Sequence, residues 1–210
     1  MRLKLLFSTP LWVCSKAIRK CWSSEDKSDT KCIQGVGRIT GKKDKELIHR
    51  VGNKNKHSST LEHLNYSFDI DGASRALLQE HARHRIASIS VQSSRYTIEK
   101  VLDGLGTIEE CLVMTGDEDI DNLNIEHMTK LAELIKKRGK TLPRDISKYA
   151  IVEAYKTSFV WTVNARSLQN FLQLRTSKSA LWEIQNLANE IFKQLPKEHK
   201  YLFEECIKDQ

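Results

Sequence analysis

The densest polar stretch of the chain is Arg83-His84-Arg85-Ile86-Ala87-Ser88-Ile89-Ser90-Val91-Gln92-Ser93-Ser94-Arg95-Tyr96. Guanidinium forks meet phosphate oxygens two at a time, and hydroxyls with loop amides add short donors. That is the inventory a nucleotide phosphate requires. The same residues also suit a plainer role, because cations in a helix's last turn complement its dipole and serines fill loops. A second cluster, His57-Ser58-Ser59-Thr60-Leu61-Glu62-His63, holds two histidines and a glutamate. Its spacing is not that of a helical ligand pair, so no metal site is expected, and a cofactor-lining loop or ordinary capping and surface residues are left. The third cluster runs from Asn164 to Arg175. Arg166 and Asn170 are four apart and share a helical face just beyond a strand end, where small-molecule sites often form. A solvated amphipathic helix accounts for the same pattern. Gly35-x-Gly37 lacks the third glycine of a dinucleotide loop, and no G-x-S-x-G elbow occurs.

These clusters need a scaffold. Met1–Phe7 reads as a first strand, and Thr9 is placed to cap a helix that opens at Pro10. Leu11, Cys14, Ile18 and Cys21 then fall on one face. Residues 23–43, polar and rich in glycine, serine and lysine, predict a long mobile loop, with a short helix following at Lys45–Gly52. Tyr66, Phe68 and Ile70 alternate with polar residues as a strand that Gly72 ends. Ser74 caps a helix running to about Arg85, and Ile86–Tyr96 reads as a structured loop. Residues 97–142 carry helical periodicity, clearest at Ile125, Met128, Leu131 and Leu134/Ile135, with Gly139 and Pro143 at its end. A helix over Arg144–Glu153, a central strand at Thr157–Asn164 and a helix directly after it complete the pattern, with two more helices at Lys178–Leu195 and Glu198–Lys208. The expected class is α+β, a small mixed or antiparallel sheet with many helices in a single domain spanning 1–210.

Composition narrows the function without choosing it. Of 210 residues, 40% are hydrophobic and 29% charged, the profile of an ordinary globular protein. The net charge of +7 favours anionic partners. A basic nucleic-acid-binding module is one reading, but such modules interleave aromatics with their basic residues, and aromatics here are 7% and lie elsewhere. Five cysteines, an odd number without C-x-x-C spacing, argue against a disulfide framework and for reduced thiols in the cytoplasm. Ser8-Thr9-Pro10 interrupts the N-terminal apolar run too early for a signal peptide, and no window reaches the roughly 18 apolar residues of a membrane span.

Taken together, Arg83-His84-Arg85, seven residues and then Ser93, followed by Arg95-Tyr96, resemble the RHR-x7-S signature of the flavin-dependent thymidylate synthases. AIRKCW (17–22) is similar to that family's first helix and HSSTLEH (57–63) to its flavin loop. WTVNARSLQNFLQLR (161–175) is similar to its C-terminal site helix, and ALWEIQ (180–185) to the segment after that helix. The resemblance covers roughly 1–22, 44–96 and 145–205; residues 23–43 and the helical region 97–142, of unknown role, lie outside it. It implies a homotetramer with active sites built from several subunits around FAD. The implied reaction turns dUMP into dTMP, with 5,10-methylenetetrahydrofolate and NADPH as co-substrates and no nucleic-acid or membrane partner. By the same resemblance Ser59, Arg83, His84, Arg85, Asn164, Arg166 and Asn170 contact FAD. Glu80, Arg83, Ser93, Ser94, Arg95, Lys148 and Arg175 contact dUMP, and His57 lies close to the flavin and folate. Arg175 takes the catalytic role: it stabilises the N3-deprotonated uracil, which makes C5 nucleophilic without a cysteine adduct. Several positions depart from the family pattern. Val91 replaces an acidic residue, Ser90 an asparagine, Lys148 an arginine and Ser179 a histidine, and Ile151-Val152 lacks a proline. A flavoprotein oxidoreductase acting on another substrate is the competing enzyme class.

Overall fold

The computed structural model describes residues 1–104 and 106–208. In order, the chain forms β1 (Arg2–Ser8), α1 (Leu11–Cys21), β2 (Lys31–Ile33), β3 (Gly37–Ile39), α2 (Lys42–Ile48), β4 (Asn65–Ser74), α3 (Arg75–His81), β5 (Ala87–Val91), α4 (Ser94–Asp103), α5 (Glu118–Arg138), α6 (Arg144–Ser147), β6 (Lys156–Asn164), α7 (Ala165–Arg175) and α8 (Trp182–Gln194). A π-helical turn at His49–Lys54 follows α2, and a 3-10 turn at Ser58–His63 precedes β4. The main sheet has the order β1-β4-β6-β5, so the expected strand around 157–164 is indeed interior, and the class is α+β. The chain divides into two compact units. Unit 1 takes Met1–Arg2, Ile70–Arg83 and Ile89–Val160; unit 2 takes Leu3–Asp69, His84–Ser88 and Trp161–Gln210.

Unit 2 is organised by alternation on its parts of β4 and β6. Tyr66 and Phe68 are fully buried, as are Trp161 and Val163. Phe68 stacks on Trp161 with centroids 6.0 Å apart, and Trp161 meets Phe171 of α7 at 5.0 Å. From α1 come Leu11, Cys14 and Ile18, all buried. Cys21, expected on that face, is exposed because the helix ends with it. The expected cap also differs: Pro10 holds the N-cap, while the Thr9 hydroxyl accepts from Asn65 N at 3.0 Å and so ties the helix start to β4.

Residues 23–43 are not a structureless loop. β2 and β3 pair antiparallel, Lys31 with Ile39 and Ile33 with Gly37, across a turn where Gly35 and Gly37 take φ of +77° and +95°. Such angles favour glycine, so the two glycines that fail as a phosphate loop serve a hairpin. Buried Asp44 anchors the segment: its carboxylate accepts from the Ser28 and Thr30 hydroxyls, both at 2.6 Å, and from Arg19 Nε at 2.6 Å. Burial alone would raise that carboxyl, yet these three donors together bring its pKa below the usual value. Asp29 in turn accepts from the backbone of Lys43 and Asp44 and satisfies the start of α2. At the other end of the chain, the helix expected at 198–208 is a pair of 3-10 turns, Lys200–Leu202 and Glu204–Cys206, and α8 begins at Trp182 rather than Lys178.

Unit 1 packs around Ile98, Cys111, Leu112, Met128, Leu131, Ile135, Leu142, Ile151 and Tyr155. The helical stripe of 97–142 therefore supplies this core, although Leu134 points outward. The region is two helices, α4 and α5, joined through a 3-10 turn at Ile108–Cys111. β4 runs past Gly72, which adopts φ +74° within the strand, and ends at Ser74. Ser74 caps α3 as expected, its Oγ accepting from Leu77 N at 2.9 Å, but the helix stops at His81. The stretch expected as a loop at 86–96 contains β5 and the start of α4. Its Ala-Ser-Ile-Ser-Val alternation is strand periodicity, muted because this edge strand buries none of its residues fully. Within 144–153 only α6 is helical, followed by a 3-10 turn at Lys148–Ala150. Among the described residues no helix is long and apolar enough to cross a membrane.

Candidate functional site

Unit 2 contains a cavity of about 570 Å³ lined by Ile18, Cys21, Trp22, Val51, Lys56, His57, Ser58, Ser59, Thr60 and Arg166. Its floor is built locally. Lys56 turns the chain with φ +56°, an angle non-glycine residues seldom take. His57 N then donates to Val51 O at 3.0 Å, and Thr60 Oγ1 donates to His57 O at 2.8 Å. Cys14 Sγ donates to Thr60 O at 3.1 Å from the helix beneath. The backbone is thus fixed while the His57 and Ser59 side chains stay exposed. Trp22 is 71% exposed on the cavity wall, an indole face that a flat ring can stack upon. Arg166 enters from the first turn of α7 and pairs with Glu62 at 2.7 Å. Asn164 spends its side-chain oxygen as the cap of α7, accepting from Ser167 N at 2.9 Å. Asn170 shares the exposed face of Arg166 but lies outside the cavity lining.

Arg175 and His84, 91 positions apart, also meet in unit 2. Arg175 Nε donates to His84 Nε2 at 3.0 Å. Arginine can only donate, so this nitrogen is the acceptor. The His84 ring packs edge-on against Phe171 at 4.9 Å. Packing and this bond together orient the guanidinium plane.

Unit 1 carries the cationic counterpart. One cavity of about 610 Å³ is lined by Arg75, Ser93, Arg95, Asp145, Lys148, Tyr149, Ile151 and Glu153. A smaller one of about 200 Å³ shares Arg75, Ser93 and Lys148 and adds Val91, Gln92 and Ser94. Ser93 is the N-cap of α4 but makes no side-chain bond to the helix, so the positive end of the helix dipole and a hydroxyl both remain at the cavity. The Arg95 guanidinium lies 4.6 Å over the Tyr96 ring, and its Nη2 donates to the Tyr96 hydroxyl at 2.6 Å. Val91 contributes an apolar side chain there. Arg83 pairs with Glu80 at 3.5 Å near the end of α3 and is 73% exposed; Arg85 is likewise exposed.

The structure therefore brings His57, Ser59 and Arg166 to one cavity, His84 to Arg175, and Ser93, Ser94, Arg95 and Lys148 to the unit 1 cavities. Arg75, Tyr149, Lys56 and Trp22 were not singled out from sequence. Arg75 had a readable signal: it follows a capping serine, at a first helical position where a cation opposes the dipole. Among the described residues no group of three or more His, Cys, Asp or Glu could hold a metal ion.

In this α+β fold one cation-lined cavity, and another walled by histidine, hydroxyls and indole, have the chemistry to hold anionic, ring-bearing small molecules. The family model described as thymidylate synthase complementing protein matches residues 4–199. A flavin-dependent thymidylate synthase of Campylobacter jejuni is 51% identical over 99% of this chain and 98% of its own length. One from Wolinella succinogenes is 49% identical over 97% of each. The crystal structure of thymidylate synthase X from Helicobacter pylori with FAD and dUMP superposes with a TM-score of 0.88 at 45% identity, covering both chains fully. The chain belongs to the flavin-dependent thymidylate synthase family and is an enzyme of that class.

Proposed function

We propose that this chain methylates dUMP reductively to dTMP, taking the carbon from 5,10-methylenetetrahydrofolate and reducing equivalents from NADPH through bound FAD. The observation that carries the reading is the convergence of Ser93, Arg95 and Lys148 on one cavity at the start of α4, which suits a nucleotide 5′-phosphate. The unit 2 cavity fits the flavin: Arg166 and the Ser58 and Ser59 hydroxyls suit phosphate and ribose, and Trp22 suits a flat ring. When bound, FAD supplies the hydride chemistry.

The protein's own part is electrostatic. Arg175, held through Nε by His84, presents a rigid positive plane to the uracil edge and stabilises the N3 anion, which loads electron density onto C5. No thiolate is required. Burial pushes the Cys14 thiol up to about 12 and raises Cys111 and Cys206 above the ordinary thiol value. Ser93 binds phosphate rather than attacking, since no base is bonded to its hydroxyl among the described residues. His57 borders the flavin and folate, while Arg83, His84, Arg85, Asn164 and Asn170 complete the FAD contacts and Glu80 and Ser94 those of dUMP. The two units act as one domain in a cytoplasmic homotetramer.

The test is dUMP-dependent NADPH oxidation with methylenetetrahydrofolate, then chromatography for dTMP. Flavin reduction without dTMP would move the assignment to an oxidoreductase with another substrate. Light scattering at assay concentration checks the tetramer, and an active monomer contradicts it.

A further inference from the structure

Arg75 lines both of the unit 1 cavities described above, together with Ser93 and Lys148, and the proposed reaction leaves it without a role. Two features set it apart. Its Nε is fully buried and has no hydrogen-bond partner among the described residues, although the side chain as a whole is 25% exposed. An unsatisfied N–H on a charged group is costly, so a missing acceptor is implied. Nearby Glu153 does not fill that role: its carboxylate is 3.9 Å from Arg75 Nη2, beyond hydrogen-bond range, and already accepts from Gln79 Nε2 at 2.9 Å.

The backbone around Arg75 is fixed on both sides. Arg75 N donates to Tyr155 O and Ala76 N to Glu153 O, both at 3.1 Å, and Ser74 caps the helix. The guanidinium therefore stands on a rigid wall of the cavity. Its neighbours leave a distinct role for it. Lys148 brings a point charge, and Arg95 is stacked on Tyr96. A planar guanidinium on the cavity wall, with no carboxylate within hydrogen-bond range, is what a phosphate dianion would engage.

We propose that Arg75 binds the 5′-phosphate of the nucleotide and sets the preference for a nucleoside monophosphate over the uncharged nucleoside; this rests on dUMP being the substrate. Glu153 is the opposing charge on the same wall. It holds Arg75 back electrostatically and repels the incoming dianion, so its removal acts in the opposite direction.

The experiment compares holoenzyme carrying Arg75→Gln, Arg75→Lys or Glu153→Gln with wild type, measuring calorimetric Kd and steady-state KM for dUMP, with deoxyuridine and inorganic pyrophosphate as further ligands. Arg75→Gln is expected to raise the dUMP Kd and KM by about tenfold or more, as for loss of a charge-assisted bond. Its kcat stays within about threefold and its deoxyuridine affinity is unchanged. Arg75→Lys recovers part of the loss, and Glu153→Gln lowers the dUMP KM. Unchanged dUMP affinity in Arg75→Gln, or an equal loss for dUMP and deoxyuridine, overturns the proposal. If Arg75→Gln fails to fold, wild-type dUMP affinity in both other variants overturns it. A wild-type protein that ignores dUMP yet binds pyrophosphate in an Arg75-dependent way overturns the dUMP reading and leaves the anion role of Arg75 standing. Binding of neither overturns both.

Discussion

Helices α4 and α5 lie in the same unit and contribute to the same core, yet they handle charge in opposite ways. α5 is capped by Asp117, which accepts from Ile120 N at 3.1 Å. It opens with Glu118, Asp119 and Asp121 and closes with Lys136, Lys137 and Arg138. Every one of those charges favours the helix dipole. α4 has no acidic residue in its first turn, an N-cap serine that makes no cap bond, and Arg95 at its second position. α3 and α7 repeat the exception with Arg75 and Arg166. Each of these three helices brings its starting cation, Arg75, Arg95 or Arg166, to one of the cavities described above. A helix start left electrically unsatisfied is one that an anionic ligand completes, at some cost in stability.

That contrast can be broken by substitution. The largest effect is expected at Arg175. Arg175→Ala should lose about 2–4 kcal/mol of transition-state stabilisation, a fall of about one and a half to three orders of magnitude in turnover, while FAD absorbance stays with the protein. Arg175→Lys should rescue poorly, because a point charge does not reproduce the oriented plane. Near-normal turnover in the alanine variant removes the role.

Arg95→Glu sharpens the comparison directly. It should raise the dUMP KM by about tenfold or more, yet stabilise the fold by about 0.3–1 kcal/mol, because an acid replaces a cation at the start of α4. Asp117→Ala is the mirror image. It should cost about 1 kcal/mol in denaturant unfolding through loss of the cap, with KM and kcat unchanged. If both variants shift stability in the same direction, the division between cavity helices and scaffold helices is wrong.

A smaller effect concerns acid. Asp121 accepts from the Thr115 backbone N–H at 2.8 Å, from its hydroxyl at 2.9 Å and from Gly116 N at 3.1 Å, and these bonds hold its pKa below the ordinary carboxylate value. A folded pKa below the unfolded one adds stability above the unfolded value, near 3.9, and loses it as pH falls through the folded one. Asp121→Asn should therefore narrow the stability gap to wild type as pH drops from 6 toward 3. A gap constant with pH excludes this contribution.

The smallest effect is expected at the cysteines. Each of Cys14, Cys21, Cys32, Cys111 and Cys206 changed to Ser should keep the rate per bound flavin within about tenfold. Cys21, on the rim of the unit 2 cavity, is the one whose loss should weaken FAD retention.

Much of this organisation is legible in the residues. Tyr66-Phe68 and Trp161-Val163 alternate because each strand buries one face, and Met128, Leu131 and Ile135 repeat because α5 buries one stripe. The hidden parts are hidden for physical reasons. β5 buries no residue fully, so its alternation carries little apolar contrast. The β2–β3 hairpin exposes all six of its strand residues and draws its order from buried Asp44, a contact across 14 and 16 positions that no local pattern announces. At the site, the arginines, serines and His57 are visible as types, whereas the Arg175–His84 bond and the placement of Arg75 on the cavity wall depend on tertiary structure. Arg75 left a trace, as a cation at the start of its helix, as Arg95 and Arg166 also do.

At the centre of the proposed reaction stands activation of uracil C5 by charge rather than by a thiolate. Its sharpest test is tritium release from C5-labelled dUMP, assayed with FAD, NADPH and methylenetetrahydrofolate on wild type, Arg175→Ala and the five Cys→Ser variants. Release by wild type and by every cysteine variant, with loss in Arg175→Ala, is the predicted result. A cysteine variant that folds, binds FAD and dUMP and releases no tritium, while Arg175→Ala still does, would contradict it.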